Sequence, residues 1–263
     1  FPKILPSLAD GSADDIPEKM RDEYTHDEII DMATSDPLLF DPDENWAYSN
    51  TGYYVLGQLV EEITGESVDT NLSERVFEPL HLGETYMQQG DDLVIEGDHP
   101  TPYYVSDDES EGLINTDEWH PSQAWAAGAV ISTMDDVNTF YRALFNGSLL
   151  ETESLNEAMT LTPQSGEAYG LGLQAVSVQC DAVPGGTVYG HTGGTLGHST
   201  WSFHTPDGNR QMSFTYSVDD QLNPSKELQA ALNDFVGVAL CGSQPQAQGE
   251  NPQVMLPDSV LRG

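Results

Sequence analysis

Basic residues are nearly missing from this sequence. Only 8 of 263 residues are Lys or Arg, against 44 Asp and Glu, for a formal net charge of -36. Phosphate-rich partners need clustered Lys and Arg, so nucleic acid and anionic lipid are excluded as ligands. Long apolar runs are missing as well. No stretch reaches the roughly 18 residues that a membrane-spanning helix requires. Cysteine is scarce, with only Cys180 and Cys241. In an oxidising compartment the two could close one disulfide, worth roughly 4 kcal/mol in the chain-entropy model; otherwise they are two separate thiols. The acids are spread through the chain with no single acidic tail. A cationic partner would explain them, but the even spread favours general surface hydration, as in a protein working in high salt.

What is present has room for one large domain or two lobes sharing an interface. The first 36 residues read as a loop and then a short helix near Thr25 to Met32, with Thr25 and Glu28 spaced as a capping box. A helix follows Asn50. Its Leu56, Leu59, Val60 and Ile63 repeat at i, i+3, i+4, i+7, the stripe of a buried face, and Gly65 ends it. A shorter helix carries Leu72, Val76 and Phe77. Residues 84–122 read as an irregular acidic loop, long enough to line a site. Thr133 and Asp136 open another helix, with Val137, Phe140, Tyr141 and Leu144 on its stripe. From Tyr169 the pattern changes to short Gly-punctuated strands, including a hairpin around Pro206-Asp207-Gly208-Asn209. A last helix spans Ser225 to Leu240, before a Gln- and Pro-rich tail. The chain thus divides into a mainly helical lobe (1–163), an antiparallel sheet with its closing helix (164–243) and a disordered tail (244–263). The fold class is α/β in the α+β sense.

Two stretches carry chemistry. Trp46-Ala47-Tyr48-Ser49-Asn50-Thr51-Gly52 puts a phenol and an amide on a polar turn that feeds an apolar helix. The bland alternative is that Asn50 caps the helix and Tyr48 packs beside it. His191-Thr192-Gly193-Gly194 stands at the edge of a strand. Its glycines let a ligand approach the backbone, Thr192 offers a hydroxyl and His191 a titratable ring. Together they suit acyl transfer, with Tyr48 moving a proton and Asn50 holding a substrate amide.

The pair resembles the penicillin-recognising serine hydrolases, whose signatures are Ser-x-x-Lys, Tyr-x-Asn and Lys/His-Thr-Gly. The resemblance runs from about Leu38 to Gly242 and is similar above all to actinomycete secreted D-alanyl-D-alanine carboxypeptidases. It rests on Trp46 to Gly65, Ala127 to Leu144, Tyr169-Gly170-Leu171-Gly172-Leu173 and Val188 to Gly193. It implies a β-lactamase/transpeptidase-like fold, with an antiparallel sheet flanked by helices and a helical lobe beside it. It implies Tyr48 and His191 as catalytic residues, with His191 tuning the proton relay. Asn50, Thr192, Gly193, Gly194 and Gln123 would be substrate-binding, with the Gly194 N–H as half of an oxyanion hole. It also implies a Cys180–Cys241 disulfide and a secreted monomer that uses no cofactor. The substrate would be a small D-Ala-D-Ala-type peptide, a β-lactam-like amide or an ester.

The departures are as telling. The three lysines, Lys3, Lys19 and Lys226, have no serine three residues before them, so Ser-x-x-Lys is absent. The motif belongs well upstream of Tyr48. The expectation is therefore that an N-terminal segment is missing, holding the nucleophile and strands of the sheet. The chain alone would then be inactive and poorly stable, and a non-catalytic binding relative is the competing reading. The position of a carboxylate-clamping Arg is taken by Gln174, and no Arg or Lys lies between Arg142 and Arg210. That weakens strict carboxypeptidase specificity and admits esterase, amidase or β-lactamase activity. His191 and His198 are not read as a metal pair, because no carboxylate or Cys completes a set beside them.

Overall fold

The structure is a computed structural model describing residues 19–105, 112–178, 180–195, 197–219 and 226–242. The tail expected to be disordered, 244–263, lies outside the described residues.

Helix α1 (His26–Ser35) opens with the expected capping box. The Thr25 hydroxyl accepts the Glu28 amide, and the Glu28 carboxylate accepts the Thr25 amide. Helix α2 (Asn50–Thr64) ends at Gly65, whose φ of 73° lies in the left-handed region. Helix α3 (Val68–Leu72) runs on into a π-helical turn, Ser73–Phe77. Three short strands interrupt the stretch expected to be irregular: β1 (Tyr86–Met87), β2 (Tyr103–Val105) and β3 (Leu113–Asn115). A 3-10 turn, Pro121–Gln123, leads into α4 (Trp125–Gly128) and then β4 (Val130–Ile131), which pairs antiparallel with β1. Helix α5 (Met134–Phe145) is capped by the Thr133 hydroxyl, which accepts the Asp136 amide, and α6 (Thr152–Met159) follows. Strands β5 (Gln174–Ser177), β6 (Thr187–Thr195), β7 (His198–His204) and β8 (Gln211–Tyr216) then form an antiparallel sheet in that order. Strand β9 (Val218–Asp219) leaves it to pair parallel with β2. Helix α7 (Lys226–Cys241) closes the described fold. This is the expected α+β architecture of helices and antiparallel sheet.

The core lies in three pieces. Val176, Val178, Val188, Trp201, Phe203 and Met212 pack under Val236 and Leu240 of α7. The helical core joins Ile29, Tyr54, Val68, Met87 and Trp125. A third cluster joins Tyr141, Leu144 and Phe145 of α5 to Ala158 and Leu173. Helix α5 also bonds directly to β8, with Asn138 Oδ1 accepting from Ser213 Oγ at 2.8 Å and Arg142 Nη2 donating to Gln211. Packing thus runs across the boundary drawn at residue 163. The disulfide Cys180–Cys241 is formed, with its Cα atoms 5.9 Å apart, and joins the segment after β5 to the end of α7.

One expectation is reversed. Leu56, Leu59, Val60 and Ile63 of α2 do not form a buried face; all are exposed, Ile63 at 74%. The helix buries Thr51, Tyr54 and Gly57 instead. Gly57 sets that contact, since a Cβ there would come within 2.7 Å of the Trp125 ring and of Ala126. The helix therefore lies backbone-close on α4, with its apolar stripe turned outward.

Candidate active site

Strand β6 builds one wall. Its first half is paired on both sides, Gly190 with Gln174 of β5 and with Phe203 of β7. From His191 onward it pairs only with β7, through Thr195↔His198. The other edge of residues 191–195 has no strand partner among the described residues. Gly190 makes the closeness of β7 possible, because a Cβ there would stand 1.8 Å from the Ser202 carbonyl oxygen. Gly193 and Gly194 are exposed, and a Cβ on Gly193 would meet nothing within 4 Å.

The Tyr48 turn faces this wall. The Tyr48 and His191 rings are 5.7 Å apart between centroids. Tyr48 OH donates to Asn50 Oδ1 at 2.9 Å. The N-cap position of α2 belongs to Ser49, which makes no side-chain cap bond. Asn50 Oδ1 therefore accepts from the tyrosine, and Asn50 is not the residue at the cap. Burial pushes the Tyr48 phenol above its ordinary value, with the neighbouring Tyr53 adding to the shift. Its contacts are Asn50, Tyr53, Tyr169 and His191, none of them a fixed cation. As it stands, the phenol holds its proton.

His191 is held at both nitrogens. Nδ1 lies 2.5 Å from the Thr192 carbonyl oxygen, which can only accept, so Nδ1 carries the hydrogen. Nε2 is then bare and accepts from Tyr169 OH at 2.8 Å. Tyr169 OH in turn is hydrogen-bonded to Tyr53 OH. Burial lowers the His191 pKa, and the bond to the Thr192 carbonyl only partly opposes it, so the ring is neutral at neutral pH. Burial also raises both Tyr169 and Tyr53. The result is a hydroxyl chain, Tyr53 to Tyr169 to His191, beside Tyr48.

Sequence reasoning named Tyr48, Asn50 and the His191-Thr192-Gly193-Gly194 strand, and the structure brings these together. It missed Tyr53 and Tyr169 as site residues. Tyr53 sits in the first turn of α2, and Tyr169 opens the segment Tyr169-Gly170-Leu171-Gly172-Leu173-Gln174. This segment folds into a tight turn, with Gly172 at φ 72° and Tyr169 bridged to Gln174. The turn delivers the Tyr169 hydroxyl to His191. It also delivers Gln174 Oε1 to the Thr192 amide at 2.9 Å and the Thr192 hydroxyl at 3.2 Å. Gln174 is buried and neutral, so it braces β6 and offers no charge to a carboxylate.

Gln123 is a correction. It is 1% exposed, and its Nε2 donates to the carbonyls of Lys19, Met20 and Asp22 while its Oε1 accepts from Trp119. The nitrogen of the amide is consumed in holding the chain before α1 and the oxygen in holding Trp119, which leaves nothing for substrate.

A phenol on the turn before a helix, facing a His-Thr-Gly strand with one open edge, defines a class: serine hydrolases of the β-lactamase/transpeptidase fold. Comparison with known proteins agrees. The chain belongs to the Beta-lactamase family, whose model matches residues 7–236. It is 28% identical to a D-stereospecific amidohydrolase from Streptomyces sp., with a TM-score of 0.74, covering 88% of this chain and 65% of that one. It is 27% identical over 205 residues to penicillin-binding protein 4* of Bacillus subtilis, covering 73% of this chain and 45% of the relative. A putative D-alanyl-D-alanine carboxypeptidase of Escherichia coli is 22% identical, covering 65% of this chain and 46% of that protein. The chain thus spans less than half the length of these curated relatives.

Proposed function

We propose that this chain supplies the proton-transfer and substrate-holding face of a serine hydrolase acting through an acyl-enzyme on D-configured amides, either D-alanyl-type peptides or β-lactam-like amides. The observation that carries the reading is the 5.7 Å meeting of Tyr48 and His191 beside the open edge of β6. The nucleophile is a serine in a Ser-x-x-Lys segment preceding Phe1. Its lysine has a definite task. A phenol whose pKa is raised by burial cannot take a proton from serine, and an ammonium beside Tyr48 would lower that pKa. Tyr48 then accepts the serine proton and returns it to the leaving group. Asn50 holds the substrate amide, and the Gly194 N–H holds the developing oxyanion. The protein acts as an exported monomer, in a compartment that permits the Cys180–Cys241 disulfide.

One observation favours amide or ester substrates without a free terminal carboxylate. Gln174, which the family resemblance sets where a clamping arginine would stand, is neutral and buried, and the amidohydrolase among the similar structures acts on D-amides by its name.

The test begins upstream of Phe1. A longer reading frame containing Ser-x-x-Lys should encode a protein that a fluorescent penicillin labels, while the 263-residue chain stays unlabelled. In the longer protein Tyr48→Phe should lower kcat by about 10²–10⁴-fold. A start codon close before Phe1, with no such motif, would make the protein a non-catalytic binder. A covalent penicillin adduct on the 263-residue chain would also overturn the account. Rates on a D-Ala-D-Ala peptide, a D-amino acid amide and a p-nitrophenyl ester separate the substrates. Strong preference for the free-carboxylate peptide would refute the argument from Gln174.

A further inference from the structure

Apart from the residues of this cleft, three loops meet within the helical lobe. The chain before α1, the segment after β1 and the turn before α4 are tied by backbone bonds. His120 N donates to the Met20 carbonyl at 2.8 Å, and Trp119 N donates to the Leu93 carbonyl at 3.0 Å. Gln88 Nε2 donates to the Asp92 carbonyl at 2.6 Å, and Tyr24 N donates to Ser122 Oγ at 3.0 Å. At the junction each loop presents one metal-type donor. Glu23, Asp91 and His120 bring a carboxylate oxygen, a carboxylate oxygen and a ring nitrogen within 4.8 Å of one another.

The two carboxylates are exposed and alone would mean little on so acidic a surface. His120 makes the difference. It is 5% exposed, and its buried Nε2 has no hydrogen-bond partner. The nearest acid oxygen, Asp91 Oδ1, is 3.8 Å away, too far for a hydrogen bond. A buried ring nitrogen left in this state is costly, and it points at two carboxylates. The other ring nitrogen, Nδ1, lies 2.7 Å from Ser122 Oγ and 3.2 Å from the Ser122 amide. The Ser122 amide can only donate, so Nδ1 accepts from it and the neutral ring carries its hydrogen on Nε2, beside the two carboxylates; a metal would take the place of that hydrogen, which would move to Nδ1 and be donated to Ser122 Oγ.

We propose that Glu23, Asp91 and His120 form a binding site for one divalent first-row transition metal, of which zinc is the representative. The charge fits, since a neutral imidazole and two carboxylates carry two negative charges. The donor type fits as well: calcium and magnesium prefer oxygen throughout, whereas imidazole with carboxylate suits zinc and its neighbours. Donor atoms around a bound zinc stand about 3.4 Å apart. Small side-chain movements of the two exposed acids would close the observed separation. A metal there would staple the three loops without touching Tyr48 or His191.

The test uses the folded chain stripped with chelator and titrated with Zn²⁺ by calorimetry, in high NaCl with excess Mg²⁺ to suppress diffuse binding to the acidic surface. One zinc should bind per chain and raise the Tm. Asp91→Asn and Glu23→Gln should each weaken binding about tenfold or more. Both residues are exposed, so the metal-free Tm of these variants should stay unchanged. His120→Gln should abolish binding, and the two carboxylate variants decide the matter even if that variant does not fold. Absence of saturable binding, or zinc affinity unchanged in both carboxylate variants, would overturn the proposal. Calcium binding as tightly as zinc would overturn the role of His120.

Discussion

His204 shows how a single residue sets pH behaviour. It is fully buried against Tyr141, with Nε2 bonded to Ser202 Oγ at 2.7 Å and Nδ1 accepting from Gln211 at 3.3 Å. Burial, with the Arg142 charge adding to it, lowers its pKa from 6.5 to about 3. Between those pH values the unfolded chain takes up a proton that the folded chain refuses. The stabilisation is therefore complete above about pH 6.5 and is lost as pH falls toward about 3. His191 acts in the same direction. Titration of the many carboxylates overlays this, so the informative quantity is a difference. The Tm of His204→Leu should fall less steeply between pH 7 and pH 4 than that of the parent chain, and parallel curves would refute the assignment. Residue by residue, the sequence was legible where chemistry and spacing coincide, as at Tyr48, Asn50 and His191-Thr192-Gly193. It was not legible at Tyr53 and Tyr169, because a tyrosine in the first turn of a helix or in a glycine-rich turn looks the same whether it merely packs or joins a hydrogen-bonded chain. Gln123 was misread because nothing local reveals that its amide is spent on backbone more than a hundred positions away.

Strand β6 separates two kinds of glycine. Gly190→Ala would drive a methyl group into the Ser202 carbonyl. We expect a cost of about 3 kcal/mol or more, read as a Tm drop on the order of 10 °C or as loss of folded protein. Gly193→Ala meets open space and should change stability by no more than about 0.5 kcal/mol. Equal losses in the two variants would mean that the β6–β7 register is not the one described. Most elements were legible: the capping box of α1, the Gly65 stop of α2, the Thr133 cap of α5 and the β7–β8 hairpin all follow local rules. Helix α2 marks the limit. An i, i+3, i+4, i+7 repeat shows that one face is apolar, yet Leu56, Leu59, Val60 and Ile63 are exposed because Gly57 lets the opposite face approach Trp125. Likewise β2 and β3 were hidden in an acidic stretch, because three-residue strands are too short to show alternation.

For the whole molecule, charge dominates. At -36, self-repulsion opposes the compact state, and added salt shortens its reach. The same salt strengthens apolar burial when its anion is strongly hydrated. The Tm of the chain should therefore rise steeply from low to molar NaCl, and rise further in sulfate; a flat or falling curve would count against a surface built for salt. The exposed apolar stripe on α2 should meanwhile bind a hydrophobic dye and promote self-association as repulsion is screened. The Thr192 backbone has a consequence of another kind. Its N–H is taken by Gln174 and its carbonyl by His191. Groups on one side of a strand recur every second residue, so the next pair on that side belongs to Gly194. Among the described residues, the edge of β6 beyond Gln174 therefore keeps one backbone pair, that of Gly194, that is not already matched by the chain's own side chains.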